Sequence, residues 1–423
     1  MIDNEEFKKI ADEYATPSYI FNIDDLKKRV ADIRQIVGDN IGLCYAMKAN
    51  PFLTKAMSEV VDKLEVCSPG ELDICVAEKI DGDKIVYSGV NKTKESIIDA
   101  FKAKAGIYTA ESVLHANLLQ EAAWEIKECG LICESNDDYL KEEKMASGSD
   151  DFFSDGFKVP VLLRLNAGSQ FGMSREDICY ILDHQDDYPN LEFVGIHYFA
   201  GTQRKKLKQQ IEELEELHVF IEELRVKYSL PLRKLEYGPG LPVPYFEGED
   251  FEDTLLPLKD LAPTLTEVSR WCDLTIEMGR FFTSTCGIYI SKVMDIKSNK
   301  GTNYCIIDGG INHITYFGQV MGMKIPIMRH IEGDGQAVYG TVEGTADYAL
   351  CGSLCTTADV LVRKVSFTNL KIGDILAFEN IGAYSITEGL YLFLSRTMPK
   401  VLIYENGKVK VVRDFKDTSV LNH

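Results

Sequence analysis

Hydrophobic positions along this chain fall into two textures. From residue 41 to about residue 280, short apolar runs alternate with longer amphipathic stretches. The runs are IGLCYAM (41–47), KLEVC (63–67), KIVYSG (84–89), GIYTAES (106–112), VPVLLRLN (159–166), FVGIHYF (193–199), KLEYG (234–238) and LTIE (274–277). Runs with little polar alternation suit strands covered on both faces, the condition of a parallel sheet. Of the stretches between them, 205–228 is the clearest helix, with Leu207, Ile211, Leu214, Leu217 and Ile221 at three- and four-residue steps. Eight strands with intervening helices predict an α/β fold built on a closed (β/α)8 TIM barrel, although an open doubly wound sheet would give a similar pattern.

Beyond about residue 282 the pattern changes to strands without long helices: GIYISKVMDIK, NYCIIDGG, GDILAFENIGAY and KVLIYENGKVKVVRD. In the last of these, Glu405-Asn406-Gly407 stands between two alternating runs and predicts a hairpin. The run SYIFNID (18–24) is also strand-like and precedes the barrel. The chain is therefore expected to hold a barrel over 25–282 and a discontinuous all-β domain formed by 1–24 and 283–423. One stretch, 134–156, is acidic and rich in Ser and Gly; it suits a solvated insertion, with a docking surface as the sharper reading.

Composition narrows the partners. Of 423 residues, 45% are hydrophobic and 26% charged, as in a globular protein, and the net charge of −20 disfavours nucleic acid and anionic lipid. The N-terminus has neither the basic start nor the apolar stretch of a signal peptide, so a cytoplasmic protein is expected. Eleven cysteines without a CxxC pair read as reduced thiols, not as a zinc cage, and no metal is expected.

Candidate chemistry gathers at strand ends, where barrels place it. CYAMKANP puts Lys48 at the end of the first barrel strand. Alone, such a lysine is most often a solvated strand end; partly desolvated, its amine can condense with a carbonyl. EYGPGLPVPY (236–245) ends the seventh strand, and the N–H groups of Gly238 and Gly240 are suited to a phosphate, although an ordinary tight turn would look the same. IEMGR (276–280) ends the eighth with Glu277 and Arg280, which either pair with each other or serve a cationic ring nitrogen and a phosphate. A lysine for an aldehyde, a carboxylate for a ring nitrogen and a phosphate cradle together are what pyridoxal 5'-phosphate requires.

YAMKANP, EVCSPGEL, GIHYFAGTQ, LEYGPGLPVPY, EMGR, IDGGIN, LCTTADVL and ENIGAYS, in this order over nearly the whole chain, resemble the fold type III decarboxylases of diaminopimelate, ornithine and arginine. The resemblance implies an alanine-racemase-like barrel followed by a β domain, and a homodimer with shared active sites. It implies that Lys48 carries pyridoxal phosphate, Glu277 holds the ring nitrogen, and Gly240, Arg280 and Tyr384 bind the phosphate, with Gly238 and Gly279 as further cofactor contacts. Cys355 would be catalytic, returning a proton after CO2 is lost, and would reach into the partner's site.

Three departures bear on the substrate. Phe199 stands where relatives carry a histidine that stacks on the cofactor. Thr356 follows the cysteine where diaminopimelate decarboxylases have glutamate and the ornithine enzymes aspartate, and Tyr316 replaces an arginine. Lacking those charges, the site would poorly match a zwitterionic end, at a cost on the order of several kcal/mol if that end is desolvated. LCTTADVL is closer to relatives that act on carrier-tethered or conjugated amino acids. The expected substrate is therefore a modified or carrier-tethered amino acid, with diaminopimelate, giving L-lysine, as the alternative. Asn312, His313, Tyr316, Thr356 and Asp359 are candidate substrate contacts; His313 reads equally well as a surface histidine. A homologue without catalysis would be expected to lose Lys48, Glu277 or Cys355, and all three are present.

Overall fold

A computed structural model describes residues 2–129, 158–249, 253–335 and 341–423. The acidic insertion 134–156 lies outside the described residues. Contacts divide the chain into two compact units, one of residues 33–242 with 255–278, the other of 1–32, 243–254 and 279–423.

In chain order the strands are β1 (Ser18–Asn22), then β2 (Gly42–Ala46), β3 (Lys63–Val66), β4 (Ile85–Tyr87), β5 (Ile107–Ala110), β6 (Val159–Leu165), β7 (Leu191–Phe199), β8 (Lys234–Gly238) and β9 (Asp273–Met278). β2 to β9 form a closed parallel barrel. The apolar runs of the sequence are these strands, and closure excludes the open sheet: β9 pairs with β2 in the register Gly42↔Thr275 and Cys44↔Glu277. Gly42 is required there, because a Cβ would lie 2.7 Å from the Thr275 hydroxyl. The helix Leu207–Tyr228 buries Leu214, Leu217, Phe220, Ile221 and Leu224, largely the stripe its periodicity predicts.

The second unit contains β10 (Gly287–Asn299), β11 (Thr302–Ile307), β12 (Met328–Ile331), β13 (Thr345–Cys351), β14 (Val360–Thr368), β15 (Ile375–Phe378), β16 (Lys400–Glu405) and β17 (Lys408–Arg413). One sheet runs β14-β13-β11-β10-β1-β16-β17, with β15 joining β10 to β12. β1 lies antiparallel to β10 and parallel to β16, so the N-terminal run is an interior strand of this sheet. The β16–β17 hairpin closes Glu405 onto Lys408, with Asn406 and Gly407 both at positive φ as a primed turn needs. Its core packs Phe7 and Ile10 of the first helix against Ile20, Ile290, Ile375 and Leu402.

The sequence placed the boundaries at 24/25 and 282/283; the contact division gives 243–254 to the sheet unit. Local bonds explain this, since Phe246 bridges to Pro326 and the Tyr245 hydroxyl accepts from Arg280 at 2.5 Å. Among the described residues no helix is long and apolar enough to cross a membrane.

Candidate active site

The catalytic candidates of the barrel unit stand on short turns after its strands. β2 stops at Ala46 and Lys48 lies in the single turn Met47–Ala49. That turn is fixed from both sides. The Tyr45 hydroxyl donates to the Asn50 carbonyl at 2.9 Å, and Asn50 Oδ1 accepts from the Phe52 N–H at 3.1 Å. Asn50 itself is extended, as a residue before proline prefers. After β3, Ser68 caps the helix Pro69–Ala77 by accepting from the Glu71 N–H, and Glu71 reaches back to the Cys67 N–H at 2.7 Å. EVCSPGEL is thus a capped turn that holds Glu65 and Cys67 beside Lys48.

The Lys48 amine lies 2.6 Å from Glu65 Oε2, 3.6 Å from Glu277 Oε1 and 3.7 Å from Cys67 Sγ. The lysine side chain is 40% exposed while the two carboxylates are 1% and 5% exposed. The amine therefore meets buried acids although its side chain is partly exposed. Glu277 also accepts from His197 Nε2 at 2.9 Å. Burial alone would raise the Glu277 carboxyl, but the Lys48 charge and the His197 hydrogen bond outweigh it and hold the acid well below the usual carboxylate range. For His197, burial opposes the charged ring, yet the bond to Glu277 leaves its pKa raised.

Glu65, His197 and Glu277 bring three ligating atoms within 4.8 Å, a set that would also suit a divalent cation. The Lys48 ammonium already lies against two of the three. Behind them, Arg164 pairs with Glu111 at 2.5 Å, and Glu236 is buried on β8.

The glycine turn after β8 leaves no room for side chains. A Cβ at Gly238 would come 2.4 Å from the Phe199 ring, and one at Gly240 would come 1.9 Å from the Gly201 carbonyl. Gly240 also has φ +61. Gly240→Ala should therefore cost at least about 1 kcal/mol from the backbone conformation alone, and more from the clash. Thermal melting checks this: a Tm equal to that of the parent would contradict the geometry.

In the sheet unit, Arg280 opens the short helix Arg280–Thr283 after Gly279. Its guanidinium is buried, bonded to Tyr245 and stacked over the rings of Tyr384 at 4.4 Å and Phe317 at 5.1 Å. Tyr384 has φ +66, a conformation uncommon outside glycine. Cys355 is exposed.

The substrate candidates divide. Asn312 is buried, and its Oδ1 has no hydrogen-bond partner. The Tyr316 hydroxyl is spent on the Glu379 carbonyl at 3.1 Å, and Thr356 Oγ1 accepts from the Ala358 N–H within its own turn. Asp359 is buried and accepts from the N–H groups of Ile311 and Leu354, at 2.9 and 2.8 Å, which ties IDGGIN to LCTTADVL. His313 corrects one of the two sequence readings: it is a core residue and not a surface histidine. Its Nε2–H donates to the Thr397 carbonyl at 2.8 Å, and Nδ1 accepts from the Tyr289 hydroxyl at 3.0 Å. Burial pushes its pKa down to about 4, so the ring stays neutral.

Sequence reasoning missed Glu65, His197 and Glu236 as functional candidates. A signal was present: KLEV, KLEY and TIEM each place a glutamate between apolar residues near a strand end, and a carboxylate there faces the barrel interior.

A model of the pyridoxal-dependent decarboxylase family, pyridoxal binding domain, matches residues 23–284. A diaminopimelate decarboxylase of Aquifex aeolicus is 25% identical over 97% of this chain and 92% of its own length. The L-glutamyl-[BtrI acyl-carrier protein] decarboxylase of Niallia circulans is 26% identical over 97% of this chain and 94% of its own. A crystal structure of the M. jannaschii diaminopimelate decarboxylase with L-lysine superposes with a TM-score of 0.80 at 21% identity, covering 98% and 93% of the two chains. The buried acids beside an accessible lysine, and a glycine turn that leaves no room for a Cβ, are what pyridoxal phosphate needs, and the family match spans more than half the chain. The chain therefore belongs to the pyridoxal-dependent decarboxylases and is a carboxy-lyase whose cofactor is pyridoxal phosphate.

Proposed function

We propose that this decarboxylase releases CO2 from a modified or carrier-tethered amino acid. The observation that carries the reading is the loss of charge at the two positions expected to read the far end of a free diamino acid. Tyr316 and Thr356 are neutral; the Tyr316 hydroxyl donates to the Glu379 carbonyl, and Thr356 Oγ1 accepts from the Ala358 N–H. A cavity of about 230 Å³ lined by Ile311, Ile314, Tyr316, Ala358, Leu361 and Phe378 is mostly apolar. A zwitterionic end placed there would lose hydration without replacement partners. The glutamyl-carrier decarboxylase among the relatives acts on such a tethered substrate.

In this reading Lys48 would hold the cofactor aldehyde, Glu277 would face the ring nitrogen, and Phe199 would pack on the ring. Gly238 and Gly240 would hold the phosphate from the barrel unit, and Gly279, Arg280 and Tyr384 are the phosphate residues expected of the sheet unit. Bound in this way, the cofactor supplies an electron sink for the pair left when CO2 departs. Glu277, anionic and buried, would stabilise positive charge at a nitrogen placed before it. Cys355 Sγ, supplied by the partner subunit of a homodimer, returns a proton to the substrate carbon. Support for the dimer is the exposure of Cys355 and of the apolar Phe317, Val320, Met321 and Met323. Nine free cysteines among the described residues suit a reducing, cytoplasmic setting.

The second reading, diaminopimelate itself, is favoured by the Aquifex relative and others like it. Measured CO2 release separates the two. We expect turnover of glutamyl-carrier or another conjugated amino acid to exceed that of free diaminopimelate by at least about 100-fold in kcat/KM, the scale of a few kcal/mol of mismatch. Diaminopimelate turned over at ordinary enzyme rates would overturn the preference.

A further inference from the structure

Beneath the bond between His197 and Glu277 lies a third acid with no assigned task. His197 is on β7 and Glu277 on β9; Glu236 is on β8, the strand between them, and pairs in register with His197. All three are buried. Two polar atoms here lack a hydrogen-bond partner: Nδ1 of His197 and Oε1 of Glu236. Buried polar atoms are rarely left unsatisfied, and because these two, on neighbouring strands in register, are not bonded to each other, they point to a bridging water.

The charges around them lead to the same place. Glu65 and Glu277 both face the Lys48 ammonium; Arg164, in register with His197, is paired with Glu111, and Lys92, buried near Glu111 and Glu65, donates to the Gly89 carbonyl. Beside these three cations a fourth carboxylate, Glu236, would leave the barrel interior with excess negative charge unless a proton stays with it or with His197.

We propose that Glu236 is a positioning residue that shares one proton with Nδ1 of His197 through a bridging water, so that this pair is neutral overall and Glu277 keeps its full negative charge. No bond other than that to the proton is made or broken. With the proton on Glu236, His197 is neutral, its Nε2–H still donating to Glu277. With the proton on His197, an imidazolium lies between two carboxylates. Either way Glu277 stays the anion. Burial first, and the charges of Glu277 and Glu65 with it, push the Glu236 carboxyl up to about 7 against the opposing pull of His197; the Cys44 thiol is its other close neighbour. The proposal rests on the role given to Glu277 above.

The test compares the full-length chain with its Glu236→Gln variant, each with and without pyridoxal phosphate, by long-range proton–nitrogen NMR of labelled histidine from pH 5 to 9. Seven histidines keep the spectra tractable, and His197→Gln assigns the signal. In the parent the His197 ring signals should change in a step shared with Glu236. In Glu236→Gln that step should be lost, and the pH midpoint of the bound cofactor's absorbance should shift. A carboxyl that takes up a proton on folding loses stability as pH rises from its unfolded value to its folded one. The Tm of Glu236→Gln should accordingly gain on the parent between about pH 5 and pH 7. Glu236→Ser, smaller and also uncharged, should repeat the loss if Gln disturbs packing. His197 signals that superimpose across the range in parent and variants would overturn the relay. Failure of the parent to bind the cofactor would instead strike the role of Glu277, while the cofactor-free spectra still decide the relay.

Discussion

Lys48→Ala is expected to abolish the absorbance band of lysine-bound pyridoxal phosphate and to lower kcat by at least about three orders of magnitude, the scale for a residue acting directly on reacting atoms. The geometry that motivates this is specific. The amine lies against Glu65 at 2.6 Å and Glu277 at 3.6 Å, while the side chain stays partly exposed. A solvated strand-end lysine would have neither buried acid within reach, and replacing it would change little. Folding should survive, because the turn that carries Lys48 is held by the bond from the Tyr45 hydroxyl to the Asn50 carbonyl and by Pro51. A variant with the parent's spectrum and turnover would remove Lys48 from the chemistry. A variant that melts far below the parent would show the amine to be a structural tie between the acids.

The barrel strands could be read from the chain because both their faces are covered, so each appears as an apolar run whose length is its own signature. Closure could not, since it depends on β2 meeting β9, a pairing between the two ends of the barrel that no local pattern records. The hairpin at Asn406-Gly407 was legible for the opposite reason: its geometry is set by the two residues of the turn.

The site divides along the same line. Lys48 and the glycines after β8 are marked by local punctuation, a proline two or three residues on or a pair of glycines. Glu277 was visible as a buried acid in need of a cation, but its partners were not. Its hydrogen bond to His197 spans 80 residues of sequence, and Arg280, three residues away and the nearest candidate along the chain, is instead bonded to Tyr245. His313 was misread because its setting is made by residues far from it in sequence. Tyr19 donates to its carbonyl at 2.6 Å, Tyr289 to its ring, and its Nε2–H is spent on Thr397.

Glu277→Gln should lower kcat by about 10² to 10³ with the cofactor still bound, the scale for removing one electrostatic group at a developing charge. Gln keeps the shape and can still accept from His197, so what is lost is the negative charge. The same substitution carries a sign in pH. Glu277 has a folded pKa well below its unfolded value, near 4.3. Its contribution to stability is therefore complete above the unfolded value and disappears as pH falls through the folded one. Gln cannot titrate, so the gap in Tm between parent and variant should be widest near neutral pH and narrow steadily below about pH 4. His197 has a raised pKa and runs the other way, contributing below its unfolded value near 6.5 and losing that contribution as pH rises through its folded value. Thermal melts from pH 3 to 9 separate the two. A gap that widened in acid would mean that Glu277 is protonated in the folded chain, and an acid in that state cannot keep a facing ring nitrogen cationic.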